Sequence, residues 1–356
     1  MLKNKLKNYF ALEVLKSYFF VLASLSLLIW VTQAARLLSL ITETGLSIET
    51  YAKYVLFLIP KTISQLMIIS FLISLFLNII KFQNNKELEI YWLAGISKIE
   101  IVALVVKISL LLTISALFFY IYLSPLSSAK SRSVLAESEF SLVNSLVKKN
   151  NFNSPLKGLT IFVNKNDNQG NLEKVYVFEN EKTILSKKGR VLNIDGKNYL
   201  ELTDGVIHEK NLQNNITTVK FEKTLFDFTK YQTNIITTLK FQERSFFWIV
   251  DQYKKTKGPD ELSEIHKRLL KPFFIPLIGL MCCFAFYSNN EKINLNKIKI
   301  VTFSLSIILI IFLEILLNLS ISSIYFRYLL YFLPFPGSFI LFFLLSNFLK
   351  SEAKPS

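Results

Sequence analysis

Few residues in this sequence have the types and spacing that catalysis requires. His208 stands beside Glu209 and could act as a general base, although an exposed loop histidine is the simpler interpretation. Cys282 and Cys283 are adjacent within an apolar run, so they cannot form a disulfide framework and are interpreted as packing residues. His266 is the second histidine of only 2, too few for a His-rich metal site. We predict no catalytic site, no metal and no cofactor.

Nucleotide hydrolysis is not encoded in the sequence either. The Gly196-Lys197 pair lacks the upstream glycine of a phosphate-binding loop, because residue 191 is a valine. Any ATP that the protein uses must therefore be hydrolysed by another polypeptide.

The composition excludes a wholly soluble protein. The chain has 356 residues, of which 51% are hydrophobic and 32 are phenylalanine, and its mean hydropathy is +0.39. The net charge of +15, from 41 Lys+Arg against 26 Asp+Glu, would suggest nucleic-acid binding in a soluble protein. In a chain with long apolar runs it indicates instead the charge bias of membrane loops and an acidic lipid partner, and no nucleic acid is expected.

Six apolar runs are long enough to cross a bilayer, which takes roughly 20 residues. They extend from about Tyr18 to Gln33, Tyr54 to Ile80, Ile101 to Leu123, Leu269 to Tyr287, Ile300 to Ile321 and Tyr328 to Leu349. The first could be mistaken for a signal peptide, but Thr32-Gln33-Ala34 is a poor cleavage site, so we predict an uncleaved helix.

The distribution of Lys and Arg in short loops predicts the orientation. With the N-terminus in the cytoplasm, the inside receives Lys3, Lys5, Lys7, Lys16, Lys81, Lys86, Lys98, Lys292, Lys297, Lys299, Lys350 and Lys354. The opposite side receives only Arg36, Lys53, Lys61 and Arg327. Both termini are therefore predicted to be cytoplasmic, and the long segment between spans three and four to be exported.

The exported segment, about Ser124 to Lys267, differs from its surroundings. A helix is predicted over Arg132–Lys149, a break over Asn150–Pro155, and a helical tether over Asp251–Lys267. Strands are predicted at Leu159–Val163, Val175–Phe178, Tyr199–Leu202 and Thr217–Phe221, with turns at Asn168–Gly170, Lys188-Gly189, Asp195-Gly196, Asp204-Gly205 and Asn214-Asn215. This spacing indicates a sandwich or a barrel. The fold class is thus an α-helical membrane protein with six transmembrane helices, arranged 3+3, around an inserted all-β domain.

The loop between spans two and three carries an amphipathic pattern. Its apolar face consists of Leu88, Tyr91, Trp92 and Gly95, with Glu87 beside them. Such a helix could dock into the groove of a partner. It could equally be an interfacial connector held by its aromatic residues.

Polar residues at the ends and in the middle of spans are the other candidates. Arg36, near Gln33, and Lys61 lie at the predicted exported ends, where they could bind a lipid phosphate or simply reach the interface. Glu314 lies inside span five, where a charge costs roughly 2.5–3.5 kcal/mol, so it should face a cavity or a partner group, or be protonated.

The loop is also where the chain resembles a known family. Glu87-Leu88-Glu89 followed by Ala94-Gly95-Ile96-Ser97 resembles the coupling segment of the LptF/LptG family, the permeases of lipopolysaccharide export. Stretches similar to LptF are Ser124–Ser128, Val134–Glu137, Tyr199–Gly205, Phe226–Phe228, and Glu261-Leu262 with Arg268. Lys86 departs from the pattern, and Lys61 after Pro60 is closer to LptG. The resemblance covers essentially the whole chain.

This resemblance implies a half-transporter in the inner membrane of a Gram-negative bacterium. Its partners would be an LptG-type permease, two LptB-type ATPase subunits, an LptC-type protein and lipopolysaccharide. Residues 1–124 would hold spans one to three with a coupling helix at about 84–97, residues 125–267 a periplasmic jelly-roll-like domain, and residues 268–356 spans four to six.

The resemblance also gives roles to the candidate residues. Glu87, Leu88, Tyr91, Trp92 and Gly95 would couple to the ATPase. The lipid path or gate would include Gln33, Arg36, Lys61 and Glu314. Glu314 lies on a helix that resembles the lateral gate of the family. There it would pair with Arg36 or with a partner residue, or it would hold helices together through hydrogen bonds. The alternatives are the LptG-type permease of the same complex and a non-transporting adaptor that displays a β-domain. An enzyme acting in the exported domain is disfavoured because no catalytic constellation is found.

Overall fold

Six helices in the described part of the chain are long and apolar enough to cross a membrane. The computed structural model describes residues 2–38, 41, 47–145, 152–156, 159–166, 171–179, 182–194, 197–210, 216–227, 239–286 and 295–352. The six spans are Leu2–Leu37, Ile48–Asn84, Lys98–Leu135, Pro259–Phe286, Lys297–Leu319 and Ile324–Lys350. The predicted 3+3 arrangement around an inserted β-domain is therefore confirmed.

The described residues of the first half of the chain form six helices. They are α1 (Leu2–Leu37), α2 (Ile48–Phe57), α3 (Ile59–Asn84), α4 (Glu87–Leu93), α5 (Lys98–Phe118) and α6 (Ser124–Ser145), with one π-helical turn, Phe119–Leu123, joining α5 to α6. A proline near the start of α3 separates it from α2, because proline suits the first helical turn and disfavours a preceding helical residue.

Helix α1 begins far earlier than the hydropathy of the sequence indicates. The predicted span began at Tyr18, but the helix begins at Leu2. Its buried residues recur every four positions, at Phe10, Val14, Tyr18, Leu22 and Ser26, which marks one stripe of a single helix packed against the bundle. Lys3, Lys5 and Lys7 before this stripe, and Lys16 within it, lower the average hydropathy without interrupting the stripe.

Six further helices lie in the described part of the second half. They are α7 (Phe246–Thr256), α8 (Pro259–Leu269), α9 (Phe274–Cys283), α10 (Leu295–Leu319), α11 (Ile324–Phe332) and α12 (Ser338–Glu352). A short turn, Lys271–Phe273, links α8 to α9, so the residues predicted to end the exported tether belong to the fourth span. Cys282 and Cys283 are fully buried in α9.

The strands that the structure describes in the inserted domain form one six-stranded antiparallel sheet. Its strands are β1 (Phe152–Leu156), β2 (Leu159–Asn166), β3 (Asn171–Glu179), β4 (Lys182–Ile194), β5 (Lys197–Lys210) and β6 (Ile216–Asp227), and they pair in sequential order. The described strands therefore form a meander without a crossover between them. Its core consists of Ile161, Val163, Leu172, Val175, Val177, Ile184, Leu200, Leu202 and Phe226.

Two strands and two glycines differ from what the sequence predicted. Strand β1 occupies the predicted break, and β4 runs through the predicted turn at Lys188-Gly189. Gly205, predicted as a turn, lies inside β5, where a Cβ atom would approach the carbonyl oxygen of Leu185 to 2.4 Å. These glycines serve close packing between strands rather than chain reversal. The other predicted turns fall wholly or partly outside the described residues.

The chain folds as two compact units. One contains residues 1–32, 58–129 and 240–356, and the other contains residues 33–57 and 130–239. The second unit thus includes the end of α1 and helix α2, in addition to most of the segment that the sequence analysis assigned to the exported domain. Within it, the Tyr51 hydroxyl donates to the Ala34 carbonyl oxygen at 2.6 Å, and the Ser131 hydroxyl donates to that of Tyr54 at 3.3 Å.

Candidate functional site

The loop helix, Glu87–Leu93, is bounded by residues with unusual backbone conformations. Lys86 precedes it with φ of 56° and Gly95 follows it with φ of 71°. A positive φ at Gly95 costs little, because glycine has no Cβ atom. The Asn85 side chain donates to the Glu87 carboxylate at 3.0 Å. The chain therefore turns sharply on both sides of a two-turn helix.

One side of the loop helix is built into the core of the membrane unit. Leu88 and Tyr91 are 6% and 2% exposed. The Tyr91 ring packs edge-on against Phe10 and Phe82, with centroids 6.5 and 6.0 Å away. Its hydroxyl donates to the Leu6 carbonyl oxygen at 3.0 Å. Burial, assisted by the Glu87 carboxylate, raises the pKa of Tyr91 to about 12, so the hydroxyl stays a donor at physiological pH.

The opposite side of the loop helix is exposed. Ile90 is 56% and Leu93 is 88% exposed, and Glu89 is exposed on the same side. Trp92 is half-buried. Leu88 and Tyr91 were predicted to lie on a docking face, and in the structure both are buried against the chain's own helices. Their role in coupling stays a prediction.

A polar pocket lies at the other candidate region, within the membrane unit. Its volume is about 230 Å³, and it is lined by Lys61, Ser64, Gln65, Tyr120, Ser124, Pro125, Ser128, Gln242, Glu264, Lys267, Arg268, Lys271 and Glu314. Helices α3, α6, α8 and α10, the π-helical turn, and the short segments before α7 and after α8 supply these residues. The pocket brings Lys61 and Glu314 together, both of which the sequence analysis singled out.

Two of the cations in the polar pocket are neutralised by carboxylates. Lys271 forms an ion pair with Glu314, whose side chain is 43% exposed. Arg268 pairs with Glu264 at 2.9 Å. Lys61 and Lys267 have no carboxylate partner in the described part of the chain, although the Lys61 ammonium lies 3.4 Å from the Gln242 amide oxygen. The pocket can therefore supply two cations to an anion.

Arg268 also holds a segment of the chain in place. Its guanidinium is 2% exposed and donates to the carbonyl oxygens of Arg244 at 2.9 Å and of Phe241 and Gln242 at 3.1 Å each. The segment before α7 is thus fixed to α8 at the wall of the polar pocket. In the sequence, Arg268 stands out only through the family resemblance, although its spacing of four from Glu264 is the signal for an ion pair on one helix face.

Sequence reasoning also missed a buried histidine. His266 is 2% exposed, and its ring nitrogens lie 3.0 Å from the Ser320 hydroxyl and 2.8 Å from the Tyr331 hydroxyl. It therefore connects α8 to the residue after α10 and to α11. Because the partners are distant in sequence, no local pattern could have revealed them.

Gln33 and Arg36 lie in the last turns of α1 and belong to the second compact unit. Gln33 is half-buried and Arg36 is exposed. Their proposed role in binding lipid stays a prediction.

Comparisons with known proteins cover most of the chain. A family model described as lipopolysaccharide export system permease LptF/LptG matches residues 8–350. The uncharacterized protein RP871 of Rickettsia prowazekii (strain Madrid E) is 22% identical over 304 residues, which are 80% of this chain and 83% of that protein.

Proposed function

We propose that this chain, which belongs to the lipopolysaccharide export system permease family LptF/LptG, works as the LptF-type subunit of an ABC transporter. It is a multi-pass inner-membrane permease component, and membership of the family implies lipopolysaccharide export. In this proposal it pairs with an LptG-type permease and with two copies of a separate ATPase. Together they extract lipopolysaccharide and pass it through an LptC-type protein to a periplasmic bridge.

The orientation follows from the Lys/Arg bias of the short loops. Both termini and the loop helix would lie in the cytoplasm, and the β-sheet domain would lie in the periplasm. One span, α5 with the start of α6, separates the loop helix from the sheet in the chain, which supports their lying on opposite sides of the membrane.

The exposed side of the loop helix would be the surface that the ATPase contacts. The observation that carries the coupling proposal is that Ile90 and Leu93 are open while the opposite side of the same helix is buried. A two-turn helix with an apolar exposed edge and acidic residues at its start fits a groove with basic residues. Glu87, Glu89 and Gly95 would complete this surface, while the buried residues beneath would carry its movement into the bundle.

The test is a charge placed at the centre of that surface. Leu93→Glu should leave the fold intact, because the side chain is 88% exposed. We expect binding of the ATPase to the purified permease pair to weaken about tenfold or more, since a central apolar contact is lost and a charge is buried. Leu2→Glu is the matched control at another exposed leucine outside the loop helix. Unchanged ATPase binding by Leu93→Glu would refute the docking surface.

The polar pocket would receive phosphate groups of the lipid. Lys61 and Lys267 are the cations without a carboxylate partner in the described residues, and an ammonium group attracts phosphate as a point charge. Glu314, which looked unfavourable for an anionic ligand, is compensated by Lys271. It would regulate the pocket by releasing Lys271 to an incoming phosphate.

Photocrosslinking tests this lipid path. Lys61→Met and Lys267→Met should each reduce crosslinking of lipopolysaccharide phosphate groups to the pocket, whereas Lys254→Met, an exposed lysine on α7, should not. Arg36→Glu, at the end of α1, should weaken the same crosslinking if Gln33 and Arg36 border the path. Equal crosslinking in all variants would assign these residues to the membrane interface alone.

A further inference from the structure

The N-terminal part of α1, here called the brace (Leu2–Lys16), packs against the loop helix. The Lys3 ammonium donates to the Gly95 carbonyl oxygen at 2.8 Å, directly after the loop helix ends. Phe10 of the brace is fully buried, and its ring packs against the aromatic rings of Phe82 and Tyr91. The brace therefore holds the loop helix both by hydrogen bonds at its edge and by an aromatic cluster beneath it.

The brace also contacts both spans that flank the loop. Lys7 forms an ion pair with Glu100 at 2.5 Å, in the first turn of α5. Glu100 in turn accepts a hydrogen bond from the Ser97 backbone N–H and completes the capping box of α5. At the other flank, Glu13 pairs with Lys81, near the end of α3, at 2.9 Å. Residues spaced three to six apart on the brace thus reach every element of the loop.

The brace is continuous with the first span. Helix α1 runs unbroken from Leu2 to Leu37 over 36 residues. At about 1.5 Å per residue it is roughly 54 Å long, well beyond the roughly 30 Å of hydrocarbon that it has to cross. No proline or glycine interrupts it, so a movement of the brace is carried along the helix without a hinge.

We propose that Lys3, Lys7 and Glu13 are positioning residues that make the brace and the loop helix move as one body, so that a push on the loop helix moves span one. The proposal rests on the proposed function, in which the ATPase pushes the loop helix. It adds a mechanical route: force enters at the exposed edge of the loop helix, crosses the brace contacts, and enters the membrane along α1. The residues of the brace need no contact with the ATPase or with the lipid.

The test separates docking from transmission. The full chain carrying Lys3→Met and Lys7→Met is assembled with its partner permease and ATPase in proteoliposomes containing lipopolysaccharide. ATPase binding should stay at the wild-type level, because Ile90 and Leu93 are unchanged. Lipopolysaccharide released per ATP hydrolysed should fall about threefold to tenfold, the size expected from losing a few partly exposed polar contacts. Lys7→Arg, which keeps the charge, should restore part of the ratio when it replaces Lys7→Met, because the Lys3 hydrogen bond to Gly95 is still missing.

The matched control is Lys5→Met, an exposed lysine of the brace for which the described residues supply neither a hydrogen bond nor an ion pair. If the double variant released as much lipopolysaccharide per ATP as the wild type, or if Lys5→Met lowered this ratio equally, the proposed role of the brace would be refuted. The proposed function would not be affected. Loss of ATPase binding in the double variant would also overturn the role of the brace, since the contacts would then only shape the docking surface. Failure of the wild-type chain to bind an ATPase would refute the proposed function, and the brace with it.

Discussion

Arg268→Met provides a quantitative test of how the membrane unit is held together. The wild-type guanidinium is 2% exposed and makes four hydrogen bonds, three of them to backbone carbonyl oxygens and one to the Glu264 carboxylate. Methionine keeps the aliphatic part of the side chain, but it is shorter and supplies none of the donors of the guanidinium group. The Glu264 carboxylate, 13% exposed, is then left without its cation.

The size of the stability loss depends on which polar groups lose their partner without gaining access to solvent. Removing one partner of a buried ion pair costs about 3–5 kcal/mol. The three carbonyl oxygens belong to a segment in which Phe241 and Gln242 are exposed, so they can turn towards solvent and add little. We therefore expect the free energy of unfolding of the purified protein in detergent to fall by about 3 kcal/mol. Trypsin should also cut at Lys240 or Arg244 much faster, because the segment is no longer fixed.

A second substitution measures the cost of leaving the Glu264 carboxylate without a cation. Adding Glu264→Gln to Arg268→Met should recover about half of the loss, since the carboxylate that lacks a cation is removed. Lys254→Met, an equal loss of charge at an exposed site, should change the unfolding free energy by less than about 0.5 kcal/mol. A fall below about 1 kcal/mol for Arg268→Met would show that the buried ion pair between Arg268 and Glu264 contributes little, and the reasoning would be wrong.

Two further substitutions test the sheet and the helix contacts. Gly205→Val should destabilise the β-sheet domain by at least about 1–3 kcal/mol, because a Cβ atom there comes within 2.4 Å of a backbone oxygen. Thermal unfolding followed by circular dichroism measures this loss, and Lys220→Ala, at an exposed position, is the control. His266→Ala should lower the unfolding free energy in detergent by about 1–3 kcal/mol, because the hydroxyls of Ser320 and Tyr331 lose a buried partner; a change within about 0.5 kcal/mol would contradict the role of the ring.

The number and order of the spans were predictable because hydropathy is a local property of about 20 residues. The beginning of α1 was not, since lysines at Lys3, Lys5 and Lys7 lower the local average. The stripe at Phe10, Val14 and Tyr18 was nevertheless present in the sequence at helical spacing. In the sheet, β4 was missed because its Lys188-Gly189 pair is typical of a turn, whereas pairing with strands on both sides keeps it extended.

The candidate site was predicted in part. The amphipathic pattern located the loop helix, but a helical period does not say which face the chain buries in itself. Here the packing of Tyr91 against Phe10, about 80 residues earlier in the chain, decides which face is buried. Likewise, an acidic residue in span five could be recognised as requiring a partner, whereas the identity of that partner, Lys271, depends on how two helices meet.

The two adjacent thiols of α9 make the chain convenient for spectroscopy. Because Cys282 and Cys283 are fully enclosed among apolar side chains, water-soluble maleimides have no route to them in the folded protein. A single cysteine introduced at an open position such as Leu93 would then carry the only dye or spin label, with both native cysteines retained. Motions of this permease can thus be followed in the natural background, without first rebuilding the interior of a span.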